Sequence, residues 1–395
     1  MEGWINCNKC NNRFRAFIQF CPQCGSQNPA YNNTHHSRIE FKKYKVSMRK
    51  TVVIIILAVV IIGSSVIVAW NMSIKNNDNK PVSYYHMIKP KPLLQLDKQS
   101  KFYAEDDNLK QYALKKINED RLKFNLSPVE LSKNEAAQIH AEELLKTRIL
   151  SHWTTDGMKP YMRYSVYNGT GYVVQNIDAG GYDNVTLDKC KYSILLCAKT
   201  NPYKEIDDSE WNMIYNDTIC CDNGHRHNIL SKYHTHVSIG IAYDNTYFAI
   251  VQNFENNYIK FDKPFLQDNN NNKHIIIQIS GTLLKHNTRL DNIGVFYDET
   301  PTPLVYKQHK YDMSYTLGKF IATIVKPPPL FSYYEKPSDY TLIQAYKWST
   351  AGQSFDVRFD FSPILKMEGV YTIVVYLEDD NKNLFPATSY SIFIK

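Results

Sequence analysis

The sequence predicts a multidomain chain in which a small metal-binding module, one transmembrane helix, a mixed α/β domain and an all-β sandwich follow one another. Three observations predict this class. Residues 51–70 form a run of twenty positions without a charge, and the first 25 residues contain two Cys-x-x-C pairs. Helical spacing of apolar residues after position 105 gives way to strand-like alternation beyond position 274.

The uncharged run reads TVVIIILAVVIIGSSVIVAW. A helix of that length spans about 30 Å, the thickness of the hydrocarbon core of a bilayer. Its length argues against a buried core helix. A cleaved signal peptide is disfavoured because the run begins fifty residues into the chain and no small-x-small site follows it. We therefore predict a single transmembrane helix at 51–70.

Charge predicts the orientation of this helix. The first fifty residues hold nine Lys or Arg and two Glu, a net charge of +7, whereas residues 51–395 hold 46 − 9 = 37 basic and 39 − 2 = 37 acidic side chains. The positive-inside rule then predicts a cytoplasmic N-terminus and extracellular C-terminal domains at the cell membrane. Because the external part is neutral overall, nucleic acid is not an expected partner for it.

The N-terminal 25 residues resemble a short zinc ribbon. The resemblance rests on two pairs of cysteines, Cys7 with Cys10 and Cys21 with Cys24. Four thiolates form the tetrahedral set that Zn²⁺ prefers, and four protein ligands leave no open position, which favours a structural zinc over a catalytic one. Redox cysteines are the alternative on the reducing side of the membrane. Whether this module would contact nucleic acid or a cytoplasmic protein stays open.

Two linkers flank the predicted span. Residues 26–50 are polar and then basic, as expected of a cytoplasmic tether, and residues 71–105 are rich in Asn, Lys and Pro, as expected of an extracellular stalk.

The next predicted domain covers residues 106–260. A first helix is expected because apolar residues recur at helical spacing, with Glu119 and Arg121 facing solvent or each other. Its apolar face is Leu109, Tyr112, Ala113, Ile117 and Leu122. A second helix is expected from a capping box, Ser132 to Glu135, to about Leu150. An irregular middle, a helix near 224–230 and a hairpin at 236–254 follow.

Five short motifs follow one another in residues 106–256, namely NxxR at 118–121 with Leu126 and Pro128, SH at 151–152 with DG at 156–157, GHRxNIL at 224–230, IGIA at 239–242 and VQNF at 251–254. With these motifs the segment resembles the CAP superfamily of cysteine-rich secretory proteins, antigen 5 and pathogenesis-related protein 1 (the SCP-like domain), in its prokaryotic form. The resemblance implies an α-β-α sandwich with two histidines and two acids around one cleft.

Matched by motif, His152 and His225 are the implied histidines and Asp217 stands where the second acid is usual. Gln175 occupies the place of the first acid. Two imidazoles can hold a divalent ion, but a glutamine cannot take up a proton, so an acid/base role is lost at position 175. Four neighbouring acids compete with Asp217 for the position of the second acid, namely Asp207, Asp208, Glu210 and Asp222. Three further histidines are expected on the surface near the rim of the cleft, namely His227, His234 and His236.

Four cysteines lie within this domain, outside the predicted membrane. They are Cys190, Cys197, Cys220 and Cys221. An even number in an oxidising setting suggests disulfides, with three pairings possible. Because adjacent cysteines bond poorly to each other, Cys220 and Cys221 are each expected to reach back to the 190–197 segment.

Residues 274–395 are predicted to form an immunoglobulin-like β-sandwich of about seven strands. The run FDVRFDF at 355–361 alternates strictly, which places its aromatic and Val side chains on one face of a sheet and its charges on the other. No catalytic constellation is visible there, which favours a spacer or adhesion module.

Two functions compete at this stage. One is a cell-surface binding or adhesion protein whose cleft holds a divalent metal or small ligand without chemistry. The other is an extracellular metal-dependent hydrolase, peptidase-like, acting through His152 and His225. Gln175 and the sandwich without a site favour the first.

Overall fold

The structure of the protein is a computed structural model that describes residues 107–181, 200–268 and 275–395, with four short strands at 4–6, 13–15, 42–43 and 87–88. The chain divides into two compact units. The larger comprises Met1–Ser37, His86–Pro327 and Pro337–Lys395, and the smaller Arg38–Tyr85 and Pro328–Lys336. No helix among the described residues is long and apolar enough to cross a membrane, and the predicted span at 51–70 lies outside them.

The elements are numbered here in chain order. The helices are α1 Asp107–Lys123, α2 Ala136–Thr147, α3 Pro160–Val166, α4 Pro202–Tyr215, α5 Thr218–Cys221, α6 Gly224–Ile229 and α7 Pro303–His309. The strands of the first part are β1 Trp4–Asn6, β2 Arg13–Arg15, β3 Lys42–Lys43, β4 Met87–Ile88, β5 Glu130–Leu131, β6 Tyr172–Gly181, β7 His236–Tyr243 and β8 Tyr247–Asn256. The later strands are β9 Ile259–Asp268, β10 Ile276–Leu283, β11 Thr288–Asp298, β12 Lys319–Val325, β13 Ser332–Tyr333, β14 Thr341–Gln344, β15 Lys347–Ala351, β16 Ser354–Asp360, β17 Gly369–Asp379, β18 Leu384–Pro386 and β19 Tyr390–Ile394.

The α/β half of the larger unit has three layers. A four-stranded sheet in the order β5-β7-β8-β6 forms the middle layer, and its strand β8 is buried along its whole length. Helix α2 packs on one face through Ala137, Ala141 and Leu144. Helices α1 and α4 pack on the other face, where they share a core with β7 and β8. The α-β-α arrangement implied by the motifs is therefore present in the described residues.

Gly240 lets α2 lie directly on the sheet. A Cβ atom at Gly240 in β7 would stand 2.1 Å from the carbonyl oxygen of Ala137, and backbone cannot move aside cheaply. We expect Gly240→Ala to lower the free energy of unfolding by about 3 kcal/mol, the upper part of the range for overpacking. Gly224→Ala is the control, because nothing lies within 4 Å of its Cβ position. Urea unfolding measures both, and equal midpoints would contradict this account of the packing.

Two expectations about these helices are wrong. Arg121 does not face solvent: it is 0% exposed, and its Nη1 donates to the carbonyl oxygens of Ile229 (2.6 Å) and Ser231 (3.0 Å). Leu122 points outward instead. The expected capping box also fails to form, because α2 begins only at Ala136. The Ser132 hydroxyl accepts from the backbone of Asn134, outside the helix.

The all-β half contains two sheets. One has the order β15-β16-β10-β9 and the other β14-β12-β11-β17-β19-β4, with β18 beside β17. The alternation in β16 is as predicted, with Phe355, Val357 and Phe359 buried. This half has more strands than the seven predicted for an immunoglobulin-like sandwich. It also contains a parallel pair, β12 with β14. It also begins before the predicted boundary at position 274, because β9, at Ile259–Asp268, already pairs with β10.

The two halves of the larger unit share a core. Helix α3 packs against Val370 of β17 and Phe393 of β19. One apolar cluster therefore contains residues of both halves. Asp298, at the end of β11, accepts hydrogen bonds from Lys159 Nζ (2.8 Å) and Tyr161 Oη (2.7 Å). The halves are therefore joined by side-chain packing and by buried polar contacts.

Two short strand pairs concern the N-terminal predictions. In the larger unit, β1 pairs antiparallel with β2, and the first Cys-x-x-C pair lies in the sequence between them. In the smaller unit, β3 pairs with β13. This pairing places residues 42–43 on the same side of any membrane as residues 332–333, whereas the predicted topology places them on opposite sides.

Candidate functional site

Helix α2 fixes the loop that carries His152. His140 Nε2 donates to the carbonyl oxygen of Ser151 (2.8 Å), because a carbonyl can only accept. One turn later, Glu143 Oε1 accepts from the backbone N–H of Thr155 (2.7 Å) and from its hydroxyl (2.5 Å). Two side chains of one helix thus hold the residues on both sides of His152. Burial lowers the pKa of His140 to about 4, so it remains neutral in this role.

Gln175 in β6 orients the ring of His152. Gln175 Nε2 donates to Asn253 Oδ1 of the neighbouring strand β8 (3.0 Å), which turns its Oε1 toward His152 Nδ1 (3.0 Å). An amide oxygen only accepts, so Nδ1 carries the proton and Nε2 of the neutral ring keeps its lone pair. Burial of the ring, which is 6% exposed, lowers the pKa of His152 to about 3. His152 is therefore neutral at physiological pH.

Asp217 orients the second histidine. Its Oδ1 lies 2.7 Å from His225 Nδ1, and its Oδ2 accepts from the backbone N–H of Arg226 at the start of α6 (3.1 Å). The carboxylate is 1% exposed. A carboxylate that accepts from Nδ1–H leaves Nε2 of a neutral histidine to bind a ligand, as in the carboxylate–histidine pairs behind many metal ligands.

Strand β6 lies at the edge of the sheet and connects both histidines. Next to Gln175, Asn176 Nδ2 donates to the carbonyl oxygen of His225 (3.1 Å), and its Oδ1 accepts from Asn228 Nδ2 (2.8 Å). Neighbouring side chains on a strand point to opposite faces, so β6 reaches the two histidines from its two faces. Positive charge on His225 would lower the pKa of His152 further, as expected of rings close enough to interact electrostatically.

The residues present fit a metal ion only in part. Asp217, Cys221 and His225 have potential ligand atoms within 4.8 Å of one another. Cys221, however, is not a free thiol, and Asp217 is engaged by His225 and Arg226. The Nε2 atoms of His152 and His225 are the ring nitrogens left to bind an ion, because Gln175 and Asp217 engage the two Nδ1 atoms. Gln175 supplies no third ligand, because its Oε1 points at Nδ1 of His152.

Tyr315 is a residue of this site that the sequence did not reveal. It comes from the connection between β11 and β12 in the all-β half. Its ring centre lies 4.8 Å from that of His152, and its hydroxyl oxygen accepts from the backbone N–H of Gln175 (2.9 Å). The position is 140 residues beyond Gln175 in a stretch without a motif, so no local signal could have indicated it.

Three of the four acids that competed with Asp217 are occupied elsewhere, and the fourth, Asp222, is an exposed residue at the end of α5. Asp207 accepts from Tyr112 and pairs with Lys116, and Asp208 pairs with Lys204. Glu210 is buried and accepts from Gln252 Nε2 (3.1 Å); burial raises its pKa to about 8.

His234 is a correction to the expected surface histidines. It is buried, stacks on Phe254 and lies with Nδ1 2.7 Å from Asn256 Oδ1. Sequence spacing could not predict the burial of His234, because its partner Asn256 lies 22 residues further along the chain, at the end of β8.

Several predicted residues lie outside the described part of the chain. They are Cys7, Cys10, Cys21 and Cys24 of the ribbon and Cys190 and Cys197, together with the side chain of Cys220. The zinc ribbon and the disulfide pairing therefore stay predictions.

Comparison with protein-family models gives no match, and comparison with curated proteins gives none either. Two solved structures resemble part of the chain. One is an extracellular protein containing an SCP domain from Bacillus anthracis str. Ames, with 19% identity, a TM-score of 0.26, and coverage of 37% of this chain and 39% of that one. The other is the CAP domain of enterococcal PrgA, with 16% identity, a TM-score of 0.25, and coverage of 36% and 58%.

Proposed function

We propose that the chain is a membrane-anchored cell-surface binding protein of CAP type whose cleft holds a divalent metal ion between His152 and His225. The observation that carries the proposal is the matched orientation of the two rings. Each ring points Nδ1 at a side-chain oxygen, Gln175 Oε1 or Asp217 Oδ1, which leaves both Nε2 atoms as ligands.

Binding without chemistry is favoured over hydrolysis. A hydrolase needs a group that takes a proton from water near the metal. Gln175 cannot do so, and the Asp217 carboxylate is occupied by His225 and Arg226. The hydrolase alternative predicts turnover that His225→Ala eliminates, whereas the binding proposal predicts no turnover in either protein.

We expect the purified full-length chain to bind two zinc ions. One belongs to the proposed ribbon, whose first cysteine pair lies between the strands β1 and β2, and one to the cleft. Cys24→Ser should lose the first ion and His225→Ala the second, because each variant removes a ligand. His286→Ala, an exposed histidine of the all-β half, is the control and should bind two. Elemental analysis and calorimetry give the counts, and zinc retained by His225→Ala would contradict the cleft proposal.

The proposed topology places the N-terminus in the cytoplasm and the large C-terminal part outside. In intact cells, added protease should remove a tag at position 395 and spare one at position 2. The pairing of β3 with β13 predicts instead that protease treats the two tags alike, because it requires both segments on one side of the membrane. Equal protection of the two tags would therefore refute the single-pass topology.

A further inference from the structure

We propose that Tyr315 is a gate over His152: the connection between β11 and β12 closes the His152 side of the cleft and must move before a ligand reaches that ring. Tyr315 packs on the His152 ring at a centre-to-centre distance of 4.8 Å, and its hydroxyl holds the backbone N–H of Gln175. Both covered residues are almost fully buried, His152 at 6% and Gln175 at 2% exposure.

The connection contacts the α/β half at both ends of an exposed stretch. At one end, His309 of α7 stacks on Trp153 with ring centres 5.3 Å apart. At the other end, Tyr315 and Leu317 pack against the apolar cluster around α3, and Lys159 Nζ donates to the carbonyl oxygen of Thr316 (3.0 Å). In the stretch between them, the side chains of Tyr311 and Met313 are 72% and 64% exposed. A segment with few buried contacts between exposed stretches opens at lower cost than the core it covers.

Gln175 engages Nδ1 of the covered ring, and no hydrogen bond among the described residues takes up the lone pair of its Nε2. Access is therefore what limits an electrophile or a metal ion at this nitrogen. The consequence for metal binding rests on the proposed function, whereas the gate itself does not.

Acylation of histidine by diethyl pyrocarbonate measures this access directly. We expect His152 in the full-length wild-type chain to react slowly, and in Tyr315→Ala at least tenfold faster, as followed by peptide mass spectrometry at pH 7. Tyr311→Ala is the matched control, since it removes an exposed tyrosine from the same connection and should leave the rate unchanged. Tyr315→Phe keeps the ring and should stay close to the wild type.

His234, buried in the core, reports whether each variant is folded and should stay unmodified. If His234 also reacts in Tyr315→Ala, that variant is not folded, and Tyr315→Leu is used in its place because leucine keeps more of the apolar volume. The same acceleration of the His152 reaction is expected for Tyr315→Leu. An unchanged His152 rate in a folded variant would overturn the gate. An accelerated rate in a chain that binds no zinc at the cleft would refute the proposed function and leave the gate standing.

Discussion

Lowering the pH from 7 to 5 in the presence of a chelator is expected to reduce the free energy of unfolding by about 3 kcal/mol. Three buried histidines of the described part of the chain account for a loss of about 6 kcal/mol, of which Glu210 offsets about half. Burial lowers the pKa values of these histidines from 6.5 to about 4 (His140), about 3 (His152) and about 3 (His234). Between pH 6.5 and these lowered pKa values, the histidines are protonated in the unfolded chain and neutral in the folded chain. Folding therefore weakens as the pH falls, by about 2 kcal/mol for each histidine at pH 5.

Glu210 acts in the opposite direction. Burial raises its pKa from 4.5 to about 8, so below pH 8 the folded chain holds a proton that the unfolded chain releases until the pH nears 4.5. Its contribution to stability is fully present below pH 4.5 and is lost as the pH rises toward 8. As the pH falls from 7 to 5, Glu210 therefore adds about 2 to 3 kcal/mol to the free energy of unfolding, which offsets part of the loss caused by the histidines. The opposing contributions place the stability maximum near neutral pH.

Urea unfolding at several pH values tests this balance. Glu210→Gln should remove the opposing contribution, so that the variant loses about 6 kcal/mol between pH 7 and 5 where the wild type loses about 3. A wild-type stability that is flat across this range would contradict the assignment of neutral, buried histidines.

Restoring a carboxylate at position 175 is expected to tighten zinc binding at the cleft by about 10- to 100-fold, the range typical of groups that orient a metal ligand. Gln175 Oε1 already lies 3.0 Å from His152 Nδ1, so Gln175→Glu would place negative charge behind the proposed ligand. Asn253 Nδ2 has no hydrogen-bond partner among the described residues, and rotation of this amide would let it donate to the new carboxylate. The free protein should lose stability, because the charge is buried until the metal binds.

Two further variants define the result. Gln175→Leu removes the oxygen that holds Nδ1 and should weaken zinc binding, whereas Gln344→Glu adds the same charge on the exposed part of β14 and should change nothing. Calorimetry with Zn²⁺ measures all three. Equal affinities in Gln175→Glu and Gln175→Leu would show that position 175 does not act through His152.

The periodicity of apolar residues predicted which side of a helix or strand is buried. Leu109, Ala113 and Ile117 lie on the buried side of α1, and the alternating residues of β16 divide between core and surface as expected. Strand β6 was missed because Gln175 and Asn176 are buried for their hydrogen bonds and break its apolar pattern.

The candidate site was predictable only as far as its motifs reach. The motifs placed His152, Gln175, Asp217 and His225 in one cleft, and the structure gives each histidine its oriented partner. Contacts between distant segments carried no signal. Tyr315 enters from the other half of the unit, and two carbonyl partners of Arg121, those of Ile229 and Ser231, lie more than a hundred residues further along the chain.

The central claim is that the Nε2 atoms of His152 and His225 bind one divalent ion. Nitrogen-15 NMR of the histidine rings observes those atoms individually in the full-length chain, after the ribbon has been saturated with zinc. On addition of one further equivalent of Zn²⁺, the account predicts that the Nε2 resonances of His152 and His225 shift together while both Nδ1 atoms keep their protons. Unchanged Nε2 resonances for both residues, with zinc bound elsewhere or not at all, would contradict it.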